Sequence, residues 1–317
     1  MVRWSHQHSF AQVALAMSST ARIQVDSLFP GLPQDQAHAA IETIRRALDE
    51  DIGPGDVTTS AVITEPCTAR GHIVVKAHGV IAGLAVARAT FTLVDARVIF
   101  TPLVPDGASV RPGEVVATVE GLVNALLTGE RVALNFLQRM SGIATLTRRF
   151  VEAVAHTSAV ILDTRKTVPG LRPLDKWAVR LGGAQNHRAG LHDMVLIKEN
   201  HIAAAGSLAE AVRRVRARWG HRYPVEVEVR TLEELDAALA LDVDRVLLDN
   251  MDVPTLRAAV AMTAGRVPLE ASGGITLDNV AAVAETGVDF ISVGALTHSP
   301  PALDITLLLT EIVNTGR

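Results

Sequence analysis

Residues 224–250 read PVEVEVRTLEELDAALALDVDRVLLDN, and this stretch decides the fold. PVEVEV predicts a strand, TLEELDAALAL predicts a helix that opens with a Thr-x-x-Glu capping box, and DRVLLDN predicts a second strand. The connections between these segments are short. Because two strands joined through a helix lie parallel in one sheet, the stretch predicts a βαβ unit.

The same alternation runs through the second half of the chain. Strands are predicted by AVILDT, MVLIKEN, VPLEASGG and DFISVGA, and helices by SLAEAVRRVRARW, VPTLRAAVAM and TLDNVAAVAETG. With this many βα units, the closure we expect is a complete or partial α/β barrel. The predicted fold class is therefore α/β, with the barrel domain over residues 136–300.

The first half is mixed and predicts a separate domain. QAHAAIETIRRALDEDIG is a helix that stops at Gly53, and GHIVVKAHGVIAGLAVA, DARVIFTPLV and GEVVATVEG have the character of strands. NALLTGERVALNFLQRMSGIATLTRRFVEAV is strongly helical, with a predicted break at Gly142. We therefore predict an α/β sandwich over residues 25–135, a flexible tail over residues 1–24, and a C-terminal helix over residues 301–317 that packs back on the sandwich.

The composition excludes several classes of function. The 317 residues carry a net charge of -4 and only 3% are aromatic, which provides neither a basic field nor stacking platforms for nucleic acid. No apolar run reaches the ~18 residues of a membrane span. Cys67 is the one cysteine, so an internal disulfide is excluded and a reducing, cytoplasmic compartment is expected. We expect no nucleic-acid or membrane partner.

Polar residues concentrate where the predicted barrel strands end, which is where barrel enzymes carry their working groups. These residues are Arg165, Lys166, Lys198, Glu228, Asp249, Ser272, Gly273, Gly274, Gly294 and Ala295. Each has a structural alternative, because a lysine at a strand end is usually solvated, glutamates alternating with valines can form a polar strand face, and an aspartate can cap a turn. Their convergence on one edge favours a shared site.

The residue types indicate the chemistry of the ligand. Backbone N–H groups in the glycine turns after the last two strands can bind phosphate. Glu228 and Asp249 lie on consecutive strands and predict a shared Mg²⁺ that completes its shell from water and phosphates. Residues 163–201 contain seven lysines and arginines against four acids, an excess that predicts capture of an anionic substrate.

Taken together, these motifs resemble the quinolinate phosphoribosyltransferase family. The similarity runs in order over residues 28–312, through EDIGPGDVTT, TGERVALNFLQRMSGIAT, DTRKTVPGLRPLDKWAVRLGGAQNHRAGLHDMVLIKENH, VEVEV, LLDN, ASGGI and VGALTHS. The resemblance implies an N-terminal α/β sandwich and a partial barrel. It also implies transfer of phosphoribose from 5-phosphoribosyl-1-pyrophosphate to quinolinate, with loss of pyrophosphate and CO₂, to form nicotinate mononucleotide in de novo NAD biosynthesis.

The resemblance further implies Mg²⁺ and a homodimer, or a larger oligomer, in which Arg131 enters the active site of the neighbouring subunit. The residues it implies for quinolinate are Arg131, Thr164, Arg165, Lys166, His187, Arg188 and Lys198. Those implied for the phosphoribosyl donor are Lys166, Lys198, Glu228 and Asp249, of which the two acids also bind the metal. Those implied for the 5-phosphate are Ser272, Gly273, Gly274, Gly294, Ala295 and Leu296.

Three other functions stay open on the sequence. A relative found with molybdenum transport genes shares the fold, but the full TRKT, NHR and lysine set favours quinolinate. A nicotinate-using phosphoribosyltransferase would accept a substrate with one carboxylate fewer. A lipoyl- or biotinyl-type carrier is suggested by VVKAHGVIAG and DGASVRPGEVVATVEG, but Lys76 lacks the expected flanking residues and the second half of the chain would have no role.

Overall fold

The computed structural model describes residues 29–314, so the predicted tail over residues 1–24 lies outside the described residues. The helices are α1 (Gln34–Ile52), α2 (Val57–Val62), α3 (Leu84–Val94), α4 (Val123–Val154), α5 (Arg172–Gly182), α6 (Glu199–Ala205), α7 (Leu208–Trp219), α8 (Leu232–Leu239), α9 (Val253–Thr263), α10 (Val280–Ala284) and α11 (Ala295–His298). The strands are β1 (Cys67–Val75), β2 (Gly79–Val80), β3 (Ile99–Pro102), β4 (Ser109–Val110), β5 (Val115–Leu122), β6 (Val160–Leu162), β7 (Val195–Ile197), β8 (Val225–Val229), β9 (Arg245–Asp249), β10 (Leu269–Ser272), β11 (Phe290–Ser292) and β12 (Ile305–Asn314).

The N-terminal domain is built on a four-stranded antiparallel sheet in the order β12-β1-β5-β3. Residues of β1 alternate between buried and partly exposed, as expected for a strand with one face on a core. Ile73 of β1 shares this apolar core with Phe91 of α3 and Leu126 of α4. A sheet covered by helices on one face is the sandwich that the sequence predicted, and the α/β class is confirmed.

The segment after the barrel is a strand, and the prediction of a helix over residues 301–317 was wrong. β12 pairs antiparallel with β1, with Ile305 opposite Val75. Ile305 and Leu307 are buried, whereas Leu308, the next residue, is exposed. A short apolar run does not by itself distinguish a helix from a strand. The free edge of β1 decides the outcome, because its backbone groups need partners.

Helix α4 runs for 32 residues without a break at Gly142, so that prediction was also wrong. A Cβ at Gly142 would lie 2.1 Å from the carbonyl oxygen of Pro301. The glycine therefore allows the backbone leading into β12 to cross the helix in close contact. The regular backbone hydrogen bonds of the α-helix continue through Gly142.

A further difference from the prediction concerns the segment GHIVVKAHGVIAGLAVA, which was predicted as a strand but whose last residues are helical. Helix α3 begins at Leu84, and the backbone N–H groups of Gly83 and Leu84 both donate to Asp106 Oδ1, at 2.8 and 3.0 Å. This cap comes from a residue more than 20 positions away in the sequence. Local propensity could not predict it, because the carboxylate reaches the helix end only in the folded chain.

The second domain is an open α/β barrel, as predicted. Its six parallel strands have the order β6-β11-β10-β9-β8-β7. β11 returns to pair with β6, while β6 and β7 lie at the two ends of the described sheet, so the barrel is open between them. One parallel bridge, Leu162 to Gln185, extends the sheet on the free side of β6. The segment that follows β6 thus occupies the opening and carries many of the predicted site residues.

The search for membrane-crossing helices covered the described residues, and none of those helices is both long and apolar enough to span a bilayer.

Candidate active site

Strand β8 explains how polar side chains enter the barrel. Val225, Val227 and Val229 are buried in the apolar core of this domain. Successive side chains of a strand point to opposite faces, so Glu226 and Glu228 share the other face, toward the barrel interior. The interpretation of both glutamates as a solvated strand face does not hold, since Glu226 is fully buried.

The first group at the mouth joins residues from β7, β8 and β9. Lys198 follows β7, and its Nζ contacts Glu228 Oε2. Asp249 ends β9, with Oδ2 at 3.4 Å from Arg230 Nε, and Arg230 also contacts Glu199. The Glu228 side chain is only 9% exposed, so its charge depends on Lys198 for compensation. Two carboxylates on neighbouring strands thus face cations at one rim.

The turn after β10 has the backbone geometry expected of an anion site. Gly273 and Gly274 have φ values of +94° and +63°, in the left-handed region that favours glycine. A Cβ at Gly273 would lie 2.3 Å from Asn250 Oδ1. The Asn279 side chain donates to the Gly274 carbonyl at 2.9 Å, and the Asn250 N–H donates to the Ser272 carbonyl at 2.8 Å. The helix predicted over TLDNVAAVAETG is shorter than expected, because α10 begins only at Val280.

The turn after β11 lies against the loop that follows β6. A Cβ at Gly294 would be 2.9 Å from Lys166 Cδ, so the Lys166 side chain crosses this glycine closely. Thr297 Oγ1 donates to the Lys166 carbonyl at 2.9 Å. Ala295 is partly exposed and Leu296 is fully buried. The structure therefore brings Lys166 to the second predicted phosphate turn.

Arg165 and Arg188 both lie in the segment between β6 and β7, close enough for their charges to repel each other. Burial lowers the pKa of Arg188, and the nearby charge of Arg165 lowers it further. Arg165 Nε is buried and has no hydrogen-bond partner within residues 29–314. Arg188 NH1 donates to the Met194 carbonyl at 3.2 Å. Adjacent guanidinium groups with an unused donor suit a carboxylate ligand.

Thr164 has a different position from its predicted partners. Its Oγ1 accepts the backbone N–H of Lys166 at 3.0 Å, which is the hydrogen bond of a side-chain turn. The contact shapes the loop that presents Arg165 and Lys166.

His187 lies beneath the mouth, against two buried glutamates. Its Nε2 is 3.0 Å from Glu226 Oε2 and 3.4 Å from Glu270 Oε2. Burial acts to lower the pKa of His187, and the two carboxylates act to raise it by stabilising a proton on Nε2. Arg188 donates its backbone N–H to His187 Nδ1 at 2.7 Å, which opposes a second ring proton. A neutral ring with its proton on Nε2 satisfies both contacts, so we assign that tautomer.

Glu270 was missed on the sequence, where it reads only as part of the strand VPLEASGG. It is fully buried, and its Oε2 accepts from Arg245 NH1 at 3.0 Å. The Arg245 guanidinium also stacks on the Phe290 ring, 4.0 Å from its centroid. Burial raises the pKa of Glu226, and the charge of Glu270 raises it further. A polar residue inside an apolar strand was the only available sign of Glu270 in the sequence.

A buried ion pair fixes the loops around the site and was also missed. Lys176 Nζ lies 2.5 Å from Asp163 Oδ1 and donates to the His187 carbonyl at 2.9 Å. Asp163 also accepts the His187 N–H at 2.8 Å and Asn186 Nδ2 at 2.7 Å. Burial raises the pKa of Asp163, although Lys176 and the N–H donors oppose this rise. Lys176 is therefore a structural residue of the cationic segment.

A third network attaches the long helix α4 to the barrel. Arg139 binds both Asp175 oxygens, at 2.9 and 2.8 Å, and donates to the Thr297 carbonyl at 3.1 Å. Asp175 is buried and also accepts the Val168 N–H. The loop after β6 and the turn after β11 are thereby held against one helix.

Arg131, on the same helix, lies apart from these groups. Its side chain is 57% exposed and its guanidinium is 4.0 Å from Glu130. Within residues 29–314 no hydrogen bond or ion pair joins it to the barrel mouth. One chain therefore assembles the predicted cationic, acidic and glycine groups but not Arg131.

Comparisons with known proteins agree with this architecture. The N-terminal domain of quinolinate phosphoribosyl transferase matches residues 56–141, and the C-terminal domain of the same family matches residues 143–308. The nicotinate-nucleotide pyrophosphorylase [carboxylating] of Mycobacterium leprae is 49% identical over 277 residues, which cover 85% of this chain and 96% of that protein. A probable nicotinate-nucleotide pyrophosphorylase [carboxylating] of Bacillus subtilis is 46% identical over 82% of this chain and 90% of its own length.

Among solved structures, the nicotinate-nucleotide pyrophosphorylase from Francisella tularensis superposes with a TM-score of 0.83 at 38% identity, covering 86% of this chain and 96% of that one. These findings agree across most of the chain: two domain matches of one family in the expected order, relatives that are nearly half identical, and a common fold. The chain belongs to the quinolinate phosphoribosyltransferase family.

Proposed function

We propose that this protein transfers phosphoribose from 5-phosphoribosyl-1-pyrophosphate to quinolinate and decarboxylates the product, yielding nicotinate mononucleotide, pyrophosphate and CO₂ in NAD biosynthesis. Membership of the family supports the reaction. The observation that supports the proposal is that three groups lie at the carboxyl ends of the parallel strands or in the segment between β6 and β7: Arg165 with Arg188, the Lys198–Glu228 pair with Asp249, and the two glycine turns.

The geometry suits two anionic substrates. The turns of Gly273 and Gly294 would take the 5-phosphate, and Lys166, which crosses Gly294, would lie beside the phosphoribosyl donor. Arg165 and Arg188 would take the carboxylates of quinolinate. Holding two anions next to each other is the difficult step, and local cations allow it.

The chemistry then follows from the charges that develop. The ring nitrogen of quinolinate attacks the anomeric carbon as pyrophosphate leaves, so the sugar becomes positive and the leaving group negative. Lys166 and Lys198 would stabilise the negative charge of the leaving group, and the carboxylate of Glu228 would stabilise the positive charge that develops on the sugar. Once the ring nitrogen is quaternary, the bond between the adjacent ring carbon and its carboxylate breaks to release CO₂. The bonding electron pair stays on that carbon, where the pyridinium charge stabilises it, and a proton from solvent then replaces the carboxylate. A strong general base is therefore not required.

We propose Mg²⁺ as the cofactor, held by Glu228 and Asp249. Both residues supply carboxylate oxygens, the ligands that Mg²⁺ prefers, and they lie near the carboxyl ends of the neighbouring strands β8 and β9. Two carboxylates are the usual protein share of such a site, with phosphates and water as the remaining ligands. The bound ion would supply charge neutralisation for the pyrophosphate.

We propose a homodimer in which Arg131 completes the active site of the neighbouring subunit. The isolation of Arg131 from the mouth of its own chain and its 57% exposure support this role. A cytoplasmic location is also proposed, supported by the lone cysteine, which is unpaired and buried.

The reaction is tested by an assay of the purified protein for pyrophosphate release that depends on quinolinate. We expect release only with quinolinate, the phosphoribosyl donor and Mg²⁺, and its loss when the metal is chelated. No release under these conditions would contradict the proposal. Equal turnover of nicotinate, which lacks the second carboxylate, would instead favour the nicotinate-using alternative.

The shared site is tested by mixing two inactive variants, Arg131→Ala and Lys198→Ala. If each site takes Arg131 from its neighbour, a mixed dimer contains one intact site and recovers part of the activity. Verified mixed dimers without any recovery would contradict the borrowed arginine.

A further inference from the structure

His187 lies in a position that does not fit direct contact with a substrate. Its side chain is only 8% exposed. Both ring nitrogens already face protein groups: Nε2 faces Glu226 and Glu270, and Nδ1 accepts the Arg188 N–H at 2.7 Å. An imidazole has no further polar atom to offer a ligand.

The cluster has the composition of a metal site, since one ligand atom from each of His187, Glu226 and Glu270 lies within 4.8 Å of the others. The ring orientation contradicts that reading. A histidine that binds a metal through one nitrogen almost always donates a proton from the other. Here Nδ1 accepts a hydrogen bond from the Arg188 N–H, which leaves the ring proton on Nε2, facing the carboxylates.

We propose that His187, Glu226 and Glu270 form a positioning unit that orients Arg188 for the carboxylates of quinolinate. The inference deepens the proposed function and rests on it. The carboxylates of Glu226 and Glu270 face Nε2 at 3.0 and 3.4 Å, and Nδ1 accepts the backbone N–H of Arg188. Arg245 anchors Glu270 from the opposite side, at 3.0 Å.

Other contacts restrict the same short segment. The His187 N–H donates to Asp163 and its carbonyl accepts from Lys176, so the backbone before Arg188 is fixed at both polar groups. Asp193 accepts the N–H groups of Ala189 and Gly190, at 2.6 and 3.0 Å. The Arg188 N–H is therefore the one backbone donor between residues 187 and 190 that depends on an imidazole.

The test is a double-mutant cycle on quinolinate affinity, with His187→Asn, His187→Ala and Arg188→Ala. Titration of the purified dimer with quinolinate gives each dissociation constant. We expect His187→Ala to weaken binding by about tenfold, a coupling typical of residues in contact. We expect His187→Asn to recover part of this loss, because the asparagine Oδ1 can replace Nδ1 as the acceptor.

In the Arg188→Ala background, we expect either His187 substitution to change the affinity by less than about twofold, because nothing is left to orient. Equal losses in both backgrounds would mean that His187 binds quinolinate itself and would overturn this inference alone. An Arg188→Ala enzyme that binds quinolinate as tightly as the native one would overturn the substrate assignment as well.

Two further measurements protect the test against unfolding and against the metal reading. Affinity for the phosphoribosyl donor, measured on the same samples, should stay within about twofold for both His187 variants. If it falls with the quinolinate affinity, the unit has a general structural role and the inference fails. A stoichiometric metal in the purified protein that disappears in Glu226→Gln would also overturn it.

Discussion

Glu226 and Glu228 lie two residues apart on one strand and face the same barrel, yet their surroundings differ. Glu226 is fully buried among His187 and Glu270, whereas Glu228 contacts the half-exposed Lys198 at the mouth. We call the buried charged groups around Glu226 the buried layer, which consists of Asp163, Lys176, His187, Glu226 and Glu270. We call the charged groups at the rim the mouth layer, which consists of Lys166, Lys198, Glu228 and Asp249.

The difference lies in where each charge finds its compensation. In the buried layer the partners are other protein groups, because water cannot solvate a charge there. In the mouth layer the partners are partly solvent, and a ligand can replace them. Substitutions in the buried layer should therefore cost stability, and substitutions in the mouth layer should cost activity.

The largest expected effect is on stability, from Lys176→Met. The change leaves Asp163 buried without its ion-pair partner, which should lower the free energy of unfolding by about 3–5 kcal/mol. Urea titration of the purified protein measures the effect. The matched control is Lys166→Met at the mouth, where the exposed side chain should contribute only about 0–1 kcal/mol. Equal losses for both lysines would remove the distinction between the layers.

The next effect is on catalysis, from Glu228→Gln. We expect kcat to fall by about 10²–10³-fold, because one charge of the metal and ribose site is lost. Steady-state pyrophosphate release measures kcat, and thermal unfolding should show little change. Asp236→Asn, on the exposed face of α8, is the control and should leave both quantities unaltered. If Glu228→Gln loses its activity because the protein unfolds, Glu228 belongs with the buried layer.

A smaller effect is expected from Gly273→Ala in the turn after β10. The left-handed φ and the contact with Asn250 should together cost about 1–3 kcal/mol of strain. We expect the strain to appear as a higher KM for the phosphoribosyl donor. Gly206→Ala is the control, since Gly206 has a φ of +97° but no atom within 4 Å of an added Cβ. A KM that rises equally in both variants would argue against a phosphate role for the turn.

The smallest effect is a pH-dependent one, from Asp193→Ala beside the buried layer. Burial opposes ionisation of Asp193, but the N–H groups of Ala189 and Gly190 lower its pKa overall. A lowered pKa stabilises the fold above the unfolded value near 3.9 and loses this contribution as the pH falls through the folded value. We expect the variant to be less stable by about 1 kcal/mol at pH 7.

The same difference should narrow between pH 5 and pH 3. Urea titrations of both proteins across this range measure it. A gap that stays constant with pH would show that the carboxylate charge of Asp193 contributes nothing.

Much of the architecture was predictable because it depends on local patterns. The βα alternation and the helix that ends at Gly53 followed from periodicity and turn residues, whereas the open form of the barrel followed from the resemblance to the family. The candidate mouth residues were predictable too, because parallel strands bring their carboxyl ends to the same rim. The mouth layer could therefore be named from strand ends, without any knowledge of contacts.

The sequence by itself determined the α/β class, the family and the residues at the ends of the barrel strands. Only the tertiary structure decided that residues 305–314 form a strand, that α4 passes Gly142 unbroken, and that the buried layer exists. These features depend on partners distant in the chain: the free edge of β1, the Pro301 carbonyl, and glutamates from two different strands facing one histidine. A local pattern records what a residue prefers, whereas the cost of burying a charge or leaving a backbone group unpaired depends on what folding places beside it.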